Sequence, residues 1–488
     1  MHTKIRDLLP AVVSVLCLSW MGTTHAQGLP ASVLKQLDQV QIDPASVSVW
    51  VSDTTHPEEP WINWNSQVWR TPASVEKIFT TLAGLDMLGP DYRWVTRFYT
   101  LQAPEHGTLR SSVFIRGGGD PKWTSSRALD AMSDLQALGI RHVEGDWVFD
   151  RSAFSPTTRS AGSLDGEILR PYNARPDALA LNFKSVILKI TPRPQTRQAL
   201  VSIDPPIEGL KWTSEVPLTD EPCRDWRQEL RADLNNGQHW RLRGSYSARC
   251  GTQEWPVAFP DAEQHTSRAW QALWKAANGE QTGRTRDGIV PAQSQLILSK
   301  ASMPLHSIVE DINKFSNNLM AQHLWLTLDP AFHGGREATF DGARAAWVEW
   351  WLTHVYSSGM VPWIDNGSGL SRVSRSTVRS LADALLWAWH QPFAPAFVNS
   401  LPLLGVDGTT RNWGQDGSMN CSFGKARVKT GSLRDVLSVS GYIPTNNGQS
   451  RVFTAIINHD RAAQGRMALR ELIEWVCLQP TLSTPLLP

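Results

Sequence analysis

The sequence predicts an α+β domain that is interrupted by a mostly β insertion, and three observations lead to this fold class. Near the N-terminus, Ser46–Val51 alternates polar and apolar residues, as a half-buried strand does, and Trp61–Asn65 is its expected partner. From about Arg97 to Ile289, short strand-like runs alternate with turns rich in Gly, Pro, Asp and Asn. After Ser299 the pattern becomes helical, and it then returns to strands before a final helix.

The first helix is predicted within TPASVEKIFTTLAGLDM, residues 71–87. Thr71 is a good N-cap residue, and Pro72 suits the first helical position. One helical face is expected to be buried, since apolar residues recur at helical spacing at Ile78, Leu82, Leu85 and Leu88.

The same periodicities predict the remaining elements. One helix, near Arg127–Leu138, is expected among the strands of the middle region. The predicted strands are Ser112–Arg116, Trp147–Asp150, Ser185–Ile190, Ala199–Ile203, His239–Leu242, Ala426–Thr430, Val436–Tyr442 and Arg451–Asn458, and the later helices are Leu305–Leu328, Phe340–Val355, Ser376–His390 and Gly465–Cys477.

Length and composition limit the architecture and the partners. A chain of 488 residues predicts two to four domains. We assign residues 27–96 and 290–488 to one discontinuous catalytic domain and residues 97–289 to the insertion, where two nested domains are expected. Charged residues make up 19% with a net charge of +1, so no basic excess indicates a nucleic-acid partner.

The N-terminus has the features of a secretory signal peptide. Lys4 and Arg6 precede a mostly apolar run, Leu8–Met21, and cleavage is expected after Ala26, so that residues 1–26 are removed. The run is shorter than the ~20 residues of a membrane span. A retained anchor is the alternative. The expected location is the periplasm, with secretion or loose membrane attachment left open.

Four cysteines remain after such cleavage, and they allow three disulfide pairings. One of these joins Cys223 to Cys250 across a short loop and leaves Cys421 to pair with Cys477. Neither a CxxC nor an HExxH spacing indicates a metal, and no cofactor is predicted.

The SxxK pattern occurs three times, and its context distinguishes the copies. Ser32/Lys35 lies just beyond the expected cleavage site, where chains are often loosely held. Ser422/Lys425 lies close to a predicted strand, where residues three apart point to opposite faces. Only Ser74/Lys77 falls on a predicted helix, where residues three apart are neighbours.

A serine and a lysine on one helical turn can act as a nucleophile and its base. With Thr71 as N-cap, the Ser74 N–H has no helical acceptor, so it can form half of an oxyanion hole. Burial would favour a neutral Lys77, and a neutral amine can take the proton of a hydroxyl. The alternative is a solvated lysine beside a second capping serine.

Two later motifs carry suitable groups. Asn313–Asn318, NKFSNN, interrupts a helical stretch and offers the Ser316 hydroxyl and the Asn318 amide. Arg427–Leu433, RVKTGSL, places Lys429 and Thr430 at the end of a predicted strand, and Gly431 would allow close approach of another backbone or a ligand. As ordinary features, these would be a helix–helix turn and a hairpin end with a surface lysine.

Together, S-x-x-K, S-x-N and K-T-G in this order resemble the active-site set of the penicillin-recognising serine enzymes, the penicillin-binding proteins and serine β-lactamases. Their fold implies an antiparallel sheet flanked by helices. The long gap between Lys77 and Ser316 is similar to that of the D-alanyl-D-alanine carboxypeptidase/endopeptidases, the class C low-mass penicillin-binding proteins. Class A β-lactamases have a shorter gap and a Glu-x-x-Leu-Asn loop, which this chain lacks.

Four further segments resemble that family. One of them, Asp365–Arg372, departs from the family pattern by an extra residue, Asn366, and Thr191–Arg286 shows little similarity. None of the four needs to touch substrate. The segments are Arg116–Pro121, Ser302–Leu305, Asp365–Arg372 and Leu401–Thr409.

The resemblance implies cleavage of the D-Ala–D-Ala bond of peptidoglycan stem peptides and of D-alanyl cross-links. Ser74 would attack the carbonyl carbon with Lys77 as base, and Ser316 would pass a proton to the leaving amine. Asn318 would hold the substrate amide and orient Lys77. The oxyanion would be held by the backbone N–H groups of Ser74 and Ser432, and the terminal carboxylate would meet Lys429, Thr430 and Ser432.

The implied partners are peptidoglycan stem peptides, their cross-links and β-lactams as covalent inhibitors. A homodimer is left open. The rival hypotheses are a non-catalytic penicillin-binding scaffold of wall synthesis and a β-lactamase or esterase on the same fold.

Overall fold

The computed structural model describes residues 28–158, 165–355, 360–445 and 448–480. The signal peptide predicted at residues 1–26 lies outside these ranges. No helix within them is long and apolar enough to cross a bilayer. The helices are Ala31–Gln39, Lys77–Leu88, Ser125–Ala137, Trp226–Glu229, His265–Ala276, Leu305–Phe315, Asn318–Thr327, Pro330–His333, Phe340–His354, Val378–Trp389, Ala394–Ser400 and Arg466–Leu478.

One antiparallel sheet, here called the central sheet, joins the two ends of the chain. The early strand Val47–Asp53 pairs with the late strand Ser450–Asn458. It also pairs with its predicted partner, with Val49 opposite Trp64. The strand order is Arg427–Leu433, Val436–Pro444, Ser450–Asn458, Val47–Asp53 and Ile62–Trp64, all pairs being antiparallel. Arg427–Leu433 is therefore an edge strand, and we use that name for it below.

Strands between residues 95 and 301 form the other sheets of the described chain. In each sheet's own order, two five-stranded sheets contain Thr285–Asp287, Trp147–Asp150, Val113–Arg116, Val95–Thr100 and Gln295–Ala301, and Tyr246–Ser247, Glu215–Thr219, Gln198–Asp204, Ser185–Arg193 and Gln253–Ala258. Two small sheets contain Lys211–Trp212, His239–Leu242 and Ala232–Asp233, and Glu280–Gln281, His142–Val143 and Thr108–Leu109.

The prediction of a single helix in the middle region was wrong. Besides Ser125–Ala137, this region contains His265–Ala276 and the single turn Trp226–Glu229. The buried side chains of His265–Ala276 recur as adjacent pairs four residues apart, Ala269 with Trp270 and Leu273 with Trp274. That spacing is helical, and we missed it among the neighbouring strand-like runs.

The helix Lys77–Leu88, here called the lysine helix, is enclosed on nearly every side. Every residue from Lys77 to Leu85 is buried. The helices that surround it are Leu305–Phe315, Asn318–Thr327, Val378–Trp389 and Ala394–Ser400. A helix that is apolar nearly all round needs such a surround, and the polar groups it carries are removed from water with it.

The start of this helix corrects the predicted cap. Thr71 is not the N-cap, because Pro72 holds that position and no side-chain cap bond is made. The Thr71 hydroxyl instead accepts from Arg375 at 3.1 Å, and its N–H donates to Asn458 Oδ1 on the central sheet at 2.8 Å. A 3₁₀ turn, Ala73–Glu76, follows Pro72, and the α-helix begins only at Lys77. Pairing with the sheet draws Thr71 away from the helix, so tertiary contact overrides the local capping signal.

The helices predicted after Ser299 are present, and the long first one is split. Leu305–Phe315 and Asn318–Thr327 are separated at Ser316, which takes a left-handed conformation with φ +56°. The Asn317 side chain caps the second helix by accepting the Met320 N–H at 3.0 Å. The disulfides are Cys223–Cys250 and Cys421–Cys477, one of the three pairings that the sequence allowed.

Candidate active site

Ser74 lies in the tight turn that leads into the lysine helix, and its side chain is half-buried. The preceding residue, Ala73, has φ +52°, a strained conformation for a residue with a Cβ atom. The first N–H groups of a helical turn have no acceptor within it. Ser74 thus presents a hydroxyl and a backbone donor from one strained turn.

Lys77 is fully buried, and three oxygens surround its amine. Nζ lies 2.6 Å from Asn318 Oδ1 and 2.5 Å from the Ser368 carbonyl oxygen. The third neighbour is Ser74 Oγ at 3.1 Å. A neutral amine has two N–H bonds and one lone pair. When the two carbonyl oxygens accept those N–H bonds, the lone pair is left facing the Ser74 hydroxyl.

The electrostatics favour that neutral amine. Burial lowers the pKa of Lys77 to about 7, although the neighbouring Glu76 opposes the shift. A solvated lysine has a pKa near 10.4 and would be almost wholly charged at neutral pH. A large fraction of Lys77 can therefore take a proton from Ser74 near neutrality.

Asn318, the first residue of its helix, has a well-defined amide orientation. Its Nδ2 donates to the Tyr172 carbonyl oxygen at 3.0 Å, so that Oδ1 faces Lys77. The side chain is therefore held from one side by a residue of the middle region and from the other by the lysine helix.

A second buried lysine stands beside Ser316. Lys429 Nζ lies 2.8 Å from Ser316 Oγ and 2.6 Å from the Thr430 carbonyl oxygen. Burial, and then the nearby Lys77, lower the pKa of Lys429 well below its usual value. A bound anion would favour the charged form of this amine.

The edge strand approaches the Ser74 turn closely, as predicted from Gly431. A Cβ atom on Gly431 would lie 2.8 Å from the backbone nitrogen of Ser74 and 3.0 Å from that of Val75. Only glycine allows the two backbones to lie this close. The contact places the Ser74 turn against the edge strand at Gly431, the residue before Ser432.

These groups surround a cavity of about 700 Å³. Ser74, Ser316, Asn318, Thr430 and Ser432 line it. Lys77 and Lys429 lie behind this lining and are fully buried. The cavity also exposes charged and aromatic side chains that we had not assigned to a site, namely Asp165, Tyr172, Arg372, Trp413, Arg434 and Arg466.

The chain matches a known protein family over most of its length. The model of the D-Ala-D-Ala carboxypeptidase 3 (S13) family matches residues 29–476. The chain belongs to this family. It is 27% identical over 491 residues to the D-alanyl-D-alanine carboxypeptidase of Actinomadura sp. strain R39, covering 95% of this chain and 88% of that protein.

A second relative has a known structure. D-alanyl-D-alanine carboxypeptidase DacB of Haemophilus influenzae is 22% identical over 399 residues, covering 81% of this chain and 82% of that protein. The crystal structure of penicillin-binding protein 4 (dacB) from H. influenzae matches with a TM-score of 0.72 at 18% identity, covering 91% of this chain and 100% of that one. The fold class and the family resemblance predicted from the sequence are confirmed, and the family is one of D-Ala-D-Ala carboxypeptidases, which are hydrolases.

The reasons that separated the three SxxK copies in this S13 protein need correction. Ser32 and Lys35 also lie on a helix, Ala31–Gln39, but both are exposed. Ser422 lies in a turn and not in a strand, and its hydroxyl donates to Glu474 Oε2 at 2.7 Å. Burial of the lysine, and not the helix alone, distinguishes the pair at Ser74.

One group of the site is a backbone carbonyl, which a search for catalytic side chains in the sequence does not find. The Ser368 carbonyl oxygen that binds Lys77 comes from the segment Asp365–Arg372, which resembles the family but was assigned no role in the site. Its Gly369 approaches the Ser74 turn so closely that a Cβ atom would lie 2.0 Å from the Ala73 carbonyl oxygen. Two glycines with close approaches, Gly369 and Gly431, were the sequence signals of this packing.

Proposed function

We propose that this D-Ala-D-Ala carboxypeptidase works through an acyl-serine at Ser74 and also cleaves D-alanyl cross-links of peptidoglycan. One observation carries the proposal. The buried Lys77 amine has two carbonyl acceptors for its N–H bonds, so its lone pair faces the Ser74 hydroxyl, 3.1 Å away. Nucleophilic catalysis by a hydroxyl needs such an adjacent base.

Acylation begins with proton transfer from Ser74 Oγ to Lys77 Nζ. The Oγ–C bond to the penultimate D-Ala carbonyl carbon forms, and the π electron pair of that C=O bond moves onto the carbonyl oxygen. The Ser74 and Ser432 N–H groups hold that oxyanion, an arrangement supported by the close contact of Gly431 with the Ser74 turn.

Collapse of the tetrahedral intermediate breaks the C–N bond, and the leaving amine needs a proton. Ser316 Oγ supplies it and is reprotonated with the proton that Lys77 took from Ser74, relayed through Lys429. Ser316 is hydrogen-bonded to Lys429, while Lys77 holds the proton taken from Ser74. Water then attacks the acyl ester: its hydroxyl group joins the acyl carbon, its remaining proton passes through Lys77 to Ser74 Oγ, and the shortened peptide is released.

The other predicted residues bind substrate. Asn318 holds the substrate amide and orients Lys77, a role supported by its contact with that amine. Thr430 and Ser432, at the cavity surface, bind the terminal carboxylate by donating hydrogen bonds to it. Lys429 lies behind them and supplies positive charge once the anion binds.

Space in the site supports a leaving group larger than one D-Ala. The cavity of about 700 Å³ lies within the range of drug-sized ligand sites. A second cavity of about 380 Å³ shares Tyr172, Ser316 and Asn318 with it. Endopeptidase cleavage of a cross-link needs room of this kind for the second stem peptide.

Export to the periplasm, through the predicted signal peptide, would bring this site to its wall substrate. β-Lactams are proposed as covalent inhibitors at Ser74. The H. influenzae penicillin-binding protein 4, with a TM-score of 0.68, has been solved in complex with a β-lactam.

The test combines covalent labelling with product analysis. A fluorescent penicillin should label the parent protein and Ser32→Ala, since that exposed serine also precedes a lysine by three residues, but not Ser74→Ala. Mass spectrometry of purified cross-linked muropeptides should show D-Ala release and cleavage of dimers. Labelled Ser74→Ala would refute the nucleophile, D-Ala release alone would refute endopeptidase activity, and labelling without any product would favour the scaffold hypothesis.

A further inference from the structure

Glu76 and Lys77 are neighbours in sequence, and both contact the same peptide group. Glu76 Oε1 accepts the Gly369 N–H at 3.0 Å. Lys77 Nζ lies 2.5 Å from the Ser368 carbonyl oxygen. These two atoms belong to the single peptide unit that joins Ser368 to Gly369, so the carboxyl group and the amine bind its opposite ends.

Both ionisable groups are fully buried. Burial raises the pKa of Glu76 to about 7. Its hydrogen bonds and the nearby Lys77 act in the opposite direction, because they favour the ionised carboxylate. The charged groups that interact with Glu76 are Lys77 and Asp365, and the cation near Lys77 is Lys429. The lowered pKa of Lys77 and the raised pKa of Glu76 are therefore both about 7, in one buried cluster.

The peptide group between them is held in place. Gly369 has φ +75°, and its backbone packs against the carbonyl oxygen of the strained Ala73. On the other side, Asn366 Oδ1 accepts the Ser368 N–H at 3.0 Å. A fixed amide transmits charge by polarisation, since hydrogen bonds in series strengthen one another in a medium of low dielectric constant.

We propose that Glu76 is a positioning residue, which orients the Lys77 amine and controls its charge through the Ser368–Gly369 peptide group. This inference rests on the proposed role of Lys77 as base. When Glu76 is ionised, the Gly369 N–H is more strongly polarised and the Ser368 carbonyl oxygen becomes a better partner for an ammonium group. When Glu76 is neutral or replaced by a neutral group, the amine loses its proton more readily.

The sign of the effect follows directly. Ionised Glu76 raises the pKa of Lys77. Removing that charge lowers it, so the neutral base becomes available at lower pH. Glu76→Gln keeps an oxygen that can accept the Gly369 N–H, whereas Glu76→Met keeps similar bulk and offers no oxygen. The pair separates the charge of Glu76 from its hydrogen bond.

The test is the pH profile of Ser74 acylation by a fluorescent penicillin, recorded for the parent, Glu76→Gln, Glu76→Met and Glu349→Gln. Glu349 is exposed on the helix Phe340–His354, so its variant controls for loss of one negative charge. The midpoint of the acidic limb should move to lower pH by about one unit in both Glu76 variants. On the alkaline plateau, Glu76→Gln should match the parent, and Glu76→Met should be slower because the Gly369 N–H has lost its acceptor.

Unmoved midpoints in both variants, with normal acylation of the parent, would overturn this inference and leave the proposed function intact. So would an equal shift in Glu349→Gln. Failure of the parent protein to be acylated at Ser74 would overturn both. If one variant does not fold, the midpoint of the other decides.

Discussion

Gly431→Ala tests whether the contact between the edge strand and the Ser74 turn makes the acyl site. The added Cβ atom would lie 2.8 Å from Ser74 N and 2.4 Å from Ser438 Oγ, where ordinary contacts begin at 3.4 Å. The Ser438 side chain cannot turn away freely, because it donates to the Pro72 carbonyl oxygen at 2.7 Å. The edge strand and the turn must therefore separate by about 0.5 Å or more.

The expected cost falls on both the acylation rate and the stability of the fold. A misplacement of about 1 Å can reduce catalysis about 10²-fold, so we expect acylation to be slower by about 10- to 100-fold. Overpacking would lower the free energy of unfolding by about 1–3 kcal/mol. The matched control is Gly334→Ala, whose Cβ atom would meet nothing closer than 3.6 Å.

The assay is stopped-flow acylation with a fluorescent penicillin, with thermal unfolding of each variant measured in parallel. Gly334→Ala should be acylated at the parent rate. A parent rate in folded Gly431→Ala would refute the reasoning, because the donor pair across that contact would then have no part in acylation.

Three further predictions concern the amine and its neighbours. Lys77→Ala should slow acylation by about 10²–10⁴-fold without preventing reversible peptide binding, measured by fluorescence titration, and a near-parent rate would indicate another base. Asn318→Asp would place a carboxylate about where Oδ1 lies, 2.6 Å from Nζ. It should raise the pKa of Lys77 and move the acidic limb of acylation upward by about 1–3 units, whereas an unmoved limb would contradict the contact. The pKa of Lys77 is about 7 when folded and near 10.5 when unfolded, so the unfolded chain binds more protons between these values and rising pH stabilises the fold. In denaturant titrations from about pH 8 to 9.5, the parent should gain about 1 kcal/mol per pH unit relative to Lys77→Met, and parallel curves would exclude a neutral lysine.

Much of the element order could be predicted because it depends on local periodicity. The three late strands of the central sheet, Arg427–Leu433, Val436–Pro444 and Ser450–Asn458, lie close to their predicted bounds, and so do the predicted helices after Ser299. One exception, His265–Ala276, has helical spacing that was masked by the strand-like runs around it. The cap at Thr71 failed for another reason, since the residue that binds its hydroxyl, Arg375, comes from much later in the chain.

The sequence by itself determined which chemical groups are present and in what order: a serine three residues before a lysine, a polar interruption between two helices, and a lysine-threonine-glycine strand end. Only the tertiary structure decided which of three SxxK pairs has a buried lysine, and burial is what lowers the pKa of that amine. It also decided that the Ser368–Gly369 peptide joins Glu76 to Lys77. A backbone carbonyl has no signature in a sequence, and desolvation depends on everything that packs around a group, so both had to come from the fold.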